Sequence, residues 1–145
     1  MSKYLWTPLV FAAYILVSCE SPKSSTRYVQ PENGYAQMVV VEEGHMKTLH
    51  ISGQVGKGPD LESQMRDVLL KLKVLLESEG GNYNDLVKIN TYIVDYRPTD
   101  LDIFRGVRKD VFTDEITPAS TLVGVTSLAL PEWLIEIDAV AVISD

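Results

Sequence analysis

The strongest constraint on this chain is an alternating run near its end, Leu134-Ile135-Glu136-Ile137-Asp138-Ala139-Val140-Ala141-Val142. Side chains two apart on a strand share a face, so Glu136 and Asp138 point the same way as Leu134, Val140 and Val142. A carboxylate on a largely apolar strand face is costly unless something pairs with it or it does chemistry. On residues alone, the plainer reading is an edge or interface carboxylate that bonds a backbone donor. The run Thr117-Pro118-Ala119-Ser120-Thr121-Leu122-Val123-Gly124-Val125 just before it reads as another strand. With Pro131-Glu132-Trp133 between them, the two are expected to be sheet neighbours.

The chain has 145 residues, one domain's worth and enough to bury a core. Its net charge is -7 and it has no basic cluster, which argues against nucleic acid as a partner. The one cysteine, Cys19, allows neither a disulfide framework nor a cysteine zinc site. His45 and His50 lack the carboxylate spacing of a metal site, so neither metal nor cofactor is expected.

Residues 1–18 read as a signal peptide. Lys3 supplies the positive start, and the apolar run Leu5 to Val17 is shorter than the roughly 20 residues a membrane span needs. Leu16-Val17-Ser18-Cys19 resembles the lipobox of bacterial lipoproteins, which implies cleavage before Cys19 and lipid on its sulfur and new amino group. The alternatives are an ordinary secretory signal or an uncleaved anchor. Glu20 after the cysteine resembles lipoproteins sent to the outer membrane of a Gram-negative host. Residues 19–33, with Ser21, Pro22, Lys23, Ser24, Ser25 and Thr26, are too polar to build a core and read as a flexible tether. Fully extended, the tether would reach roughly 45 Å at about 3.3 Å per residue.

The domain is read over residues 34–145. Ala36–Val41 and Thr48–Gln54 read as a hairpin about Glu43-Gly44. Asp60 is a candidate N-cap for a helix whose apolar stripe is Leu61, Met65, Val68, Leu69, Leu72, Leu75 and Leu76, ended by Gly80-Gly81. Val87–Val94 is a strand with apolar residues on both faces, although Lys88 and Asn90 argue against full enclosure. Pro98-Thr99-Asp100 opens a second helix with the stripe Leu101, Phe104, Val107 and Val111; Arg105, Arg108 and Lys109 lie off it. The order strand, strand, helix, strand, helix, strand, strand predicts an α+β mixed sheet with both helices on one face. The other face carries apolar residues and should bury against further subunits.

The end of the chain resembles the RidA (YjgF/YER057c) family, with its P-A-R-S-x-V-x-V, L-P and (I/V)-E-I-(E/D)-A-(I/V)-A-V pattern. Pro118, Ala119, Thr121, Val123, Val125, Leu130, Pro131, Ile135, Glu136, Ile137, Asp138, Ala139, Ala141 and Val142 carry the match. Gly34-Tyr35-Ala36-Gln37 resembles the family's G-P-Y-S-Q, and Ile51-Ser52-Gly53-Gln54 its S-G-Q. The resemblance covers about Pro31 to Asp145. It implies a chorismate-mutase-like subunit in a homotrimer with pockets between neighbouring subunits. It also implies hydrolysis of an amino-acid-derived enamine or imine to a keto acid and ammonia. In that reading Glu136 is the water-activating carboxylate, and Tyr35, Ser52 and Ser120 are polar groups of the pocket. Ser120 stands where the deaminases carry arginine, and a hydroxyl offers neither the charge nor the fork that grips a carboxylate. Arg105, where family members often have asparagine, is the candidate to supply that charge; the plainer reading is a solvated or interface arginine. Two functions follow: an enamine/imine deaminase-type hydrolase at the cell envelope, or a non-catalytic trimeric lipoprotein that binds a small molecule or a partner.

Overall fold

The structure is a computed structural model that describes residues 23–112 and 117–144. The expected signal peptide and Cys19 lie outside the described residues. The elements are β1 (Ser24–Glu32), β2 (Tyr35–Glu43), β3 (Met46–Val55), α1 (Leu61–Ser78), β4 (Leu86–Val94), α2 (Asp100–Val111), β5 (Ala119–Val125) and β6 (Ile135–Ser144). They form a six-stranded sheet in the order β1-β2-β3-β6-β4-β5. β4 and β5 run parallel, and the other neighbours are antiparallel.

The local reasons are those the sequence supplies. Gly44, at φ 61°, turns the β2–β3 hairpin. Asp60 caps α1 by accepting from the Ser63 N–H at 2.8 Å, while the Asp60 N–H donates to Ser63 Oγ at 3.3 Å. Gly80, at φ 85°, ends it. Met65, Val68, Leu69, Leu72 and Leu76 of α1 pack with Leu49, Ile89, Ile93, Ile135, Ile137 and Ala141 of the sheet in one core. In α2, Phe104 and Val107 are buried and Leu101 and Val111 partly so. Both helices thus cover one face of the mixed sheet, and the other face is open in the single chain. Among the described residues no helix is long and apolar enough to cross a membrane.

Two expectations are corrected. The first is the tether: from Ser24 onward it is β1, paired with β2 from Ser24↔Glu43 to Glu32↔Tyr35. Its side chains are nearly all exposed, so the polar composition indeed builds no core. A strand, however, can be held by its backbone ladder alone, and here Arg27 adds a fork to Glu79 at 3.1 and 2.6 Å. The domain therefore begins about ten residues earlier than the sequence suggests.

The second concerns the runs around Ser120 and Glu136. They are not neighbours, because β4 lies between them. β5 follows β4 through α2, a crossover that favours a parallel pair. The segment before Ile135 is long enough to carry the chain past β4 into the slot beside β3. The Pro-containing linker is therefore not the tight turn of a hairpin.

Candidate functional site

β6 exposes its chemistry on the open face. Ile135, Ile137, Ala139, Ala141 and Ile143 are buried beneath the helices, while Glu136, Asp138, Val140 and Val142 alternate with them on the other side. Glu136 pairs with Val55, and just beyond it the β3–β6 register slips between Ile51 and Gln54, a bulge that contains Ser52 and Gly53. A Cβ at Gly53 would overlap the Glu136 carboxylate, so the glycine lets that carboxyl lie directly against the β3 backbone. The S-G-Q motif and Glu136 are thus two sides of one contact.

Around this contact lies a cavity of about 700 Å³ lined by Tyr35, Gln37, Ser52, Gln54, Lys71, Trp133 and Glu136, among others. Ser52 Oγ donates to the Ala36 carbonyl at 2.6 Å, which leaves its lone pairs for a ligand. Gln54 Nε2 donates to Gln37 Oε1 at 3.1 Å, and Gln37 Nε2 to the Tyr35 hydroxyl at 3.3 Å. The cavity is therefore walled by side chains that hold one another in place. Burial pushes the Glu136 carboxyl above the usual carboxylate range, and the neighbouring Asp138 charge adds to it. Asp138 accepts from Asn90 Nδ2 at 2.8 Å and raises the phenol of Tyr92 by its charge. A partly buried carboxyl with a raised pKa can take a proton from water and return it later.

The entry of β6 is clamped by Gln64, which is buried in α1. Its Nε2 donates to the carbonyls of Gly58 and Glu132 at 3.1 and 2.9 Å, and its Oε1 accepts from the Leu134 N–H at 2.8 Å. Gln64 therefore places Trp133 and the strand that carries Glu136.

Of the expected site residues, Tyr35, Ser52 and Glu136 come together; Ser120 and Arg105 do not join them within one chain. Ser120 pairs with buried Ile89, which puts it on the helix side of β5. There it accepts from Arg108 Nη1 at 3.2 Å. Arg108 is stacked against Phe104 and Phe112, 5.5 and 5.3 Å from their ring centres, and burial lowers its pKa. Arg105 is exposed on α2 and does not line the Glu136 cavity. The arginine that approaches Ser120 is thus Arg108, nearly one helical turn further on, because Arg108 lies on the flank of α2 that meets β5.

Sequence reasoning missed Lys71, Gln64 and Trp133 as groups that shape the cavity. Lys71 reads as an ordinary solvated position beside the apolar stripe of α1, and only the fold shows that it faces the end of β3. Gln64 carried a signal, a polar residue inside that stripe. Among the described residues no cluster of three or more His, Cys, Asp or Glu is placed to hold a metal ion.

Comparison with known proteins agrees with this fold. Residues 24–143 match the Ribonuc_L-PSP family, described as Endoribonuclease L-PSP. A RutC family protein of Pyrococcus horikoshii is 36% identical over 90 residues, 62% of this chain and 68% of that protein. The crystal structure of a YjgF family member from Neisseria meningitidis superposes with a TM-score of 0.72 at 27% identity, covering 83% of this chain and 97% of that one. A YjgF/YER057c/UK114 family member from Mycobacterium tuberculosis gives 0.69 at 27% identity, covering 82% and 100%. With β1 included in the match and the Ser52-Gly53 bulge seated on Glu136, this chain belongs to the RidA (YjgF/YER057c) family.

Proposed function

We propose that the protein is a hydrolase of small enamines or imines, with Glu136 as its general base. The observation that carries this reading is the Glu136 carboxyl, lodged against Gly53 and opening into a cavity of about 700 Å³ with Tyr35 and Ser52. In this chemistry Glu136 takes a proton from water as the oxygen attacks the C=N carbon. With the imine nitrogen already protonated, as an iminium, its π electrons move to nitrogen and give a neutral carbinolamine. Glu136 then returns its proton to the nitrogen. As the C–N bond breaks, ammonia leaves and the hydroxyl proton is lost to give the carbonyl product. The raised pKa of Glu136 suits both directions of transfer. The name of the family speaks of an endoribonuclease, but a net charge of -7 repels a polyphosphate chain and favours a small substrate.

In this reading the working unit is a homotrimer that covers the open sheet face, with a cleft between subunits. Such an arrangement would let Ser120, Arg108 and Arg105 of one subunit approach the Glu136 cavity of the next. Cys19 carries lipid and anchors the protein at the cell envelope, at the outer membrane of a Gram-negative host. The test is ammonia release from freshly generated iminopropionate. Glu136→Ala is expected to slow it by a factor of about 10² to 10⁴, and an unchanged rate would remove the proposal.

A second reading, a non-catalytic trimer that binds a small molecule or a partner, draws on the exposure of Arg105 and the engagement of Ser120 with Arg108. A ligand screen by thermal shift separates the two, since a pure binder gains stability without turnover.

A further inference from the structure

We propose that Lys71 is the anion anchor of the Glu136 cavity, so that the ligand carries a carboxylate held from helix α1 instead of from strand position 120. This rests on the reading of that cavity as the substrate site. Lys71 is the cation among the residues that line it. Its ammonium donates to the Val55 carbonyl at 2.7 Å and pairs with Asp67 at 3.0 Å. Three donors with two partners leave one N–H for a ligand. Asp67 is itself fixed by the Lys57 N–H at 2.8 Å, so the pair holds the lysine stem in one place.

Glu136 does not neutralise Lys71. The Lys71 ammonium pairs with Asp67, and among the described residues no ion pair joins it to Glu136. Both side chains line the one cavity, Lys71 from α1 and Glu136 from β6. A small molecule with a carboxylate at one end and the reacting C=N at the other would meet both groups. Ser120, on the helix side of β5, cannot reach the same cavity within one subunit.

The test is binding of pyruvate and of its uncharged amide, pyruvamide, to the full domain by calorimetry, which needs no turnover. Lys71→Met is expected to weaken pyruvate about tenfold or more and leave pyruvamide unchanged, with Lys71→Arg restoring most of the loss. Asp67→Asn removes the competing carboxylate and is expected to tighten pyruvate. Equal pyruvate binding by wild type and Lys71→Met overturns the proposal, as does equal binding of acid and amide by the wild type, or no binding of pyruvate. Asp67→Asn that leaves pyruvate unaffected also counts against it. Glu136→Gln tests the hydrolase reading apart from this one: it is expected to stop ammonia release while pyruvate binding stays intact.

Discussion

The two faces of β6 are built from one alternating run and do opposite things. Ile135, Ile137, Ala139, Ala141 and Ile143 are sealed under the helices, and Glu136, Asp138, Val140 and Val142 stay partly accessible. The covered face gains stability from packing. The open face gives some away, because it holds two carboxylates close together against a glycine backbone. Residues one position apart are thus under different physical demands.

The comparison breaks most visibly on the covered side. Ile137→Ala, at a fully buried position, is expected to cost about 2–5 kcal/mol in urea unfolding, with a matching fall in melting temperature. Gln64→Leu leaves two carbonyls and one N–H without their partner and is expected to cost about 1–3 kcal/mol. If the proposed hydrolysis holds, it should also reduce turnover, because the entry of β6 loosens; loss of stability with unaltered kcat would show that Gln64 does not position Glu136. Thr91 sharpens the contrast from β4: its hydroxyl is buried with no partner among the described residues. Thr91→Val is expected to be neutral, or stabilising by up to about 1 kcal/mol.

The smallest effect lies on the open face. Glu136 has a folded-state pKa above its unfolded value, so the folded chain keeps a proton that the unfolded chain has lost. Stability must then fall as pH rises from the ordinary glutamate value, about 4.3, through the raised one. Glu136→Gln is expected to raise the melting temperature at neutral pH and to lose that advantage below about pH 4. Equal melting temperatures at both pH values would mean that this face carries no electrostatic strain.

Much of this was legible in the sequence. The period of α1, its Asp60 cap and Gly80 stop, and the β2–β3 hairpin are local patterns, and the structure keeps them. Glu136, Tyr35 and Ser52 were legible through motif resemblance. What escaped depends on contacts far apart in sequence. β1 has no apolar stripe to announce it, since a backbone ladder leaves no mark in composition. The insertion of β6 between β3 and β4 is a matter of topology, and nothing within residues 117–142 encodes it. Arg105 and Arg108 both lie off the buried stripe of α2, and only the docking of that helix decides which one meets β5. Lys71 became a cavity residue for the same reason.

The direction of β1 has one more consequence. Ser24 sits at the end of the sheet where β2 finishes and β6 runs out, whereas Tyr35, Ser52 and Glu136 gather at the opposite end. A nine-residue strand separates those ends by roughly 25–30 Å. Only residues 20–23 lie between Cys19 and the strand, a leash of roughly 13 Å at full stretch. On the proposed lipidation of Cys19, so short a leash would keep the Ser24 end of the sheet near the bilayer and turn the cavity lined by Glu136 away from the lipid headgroups.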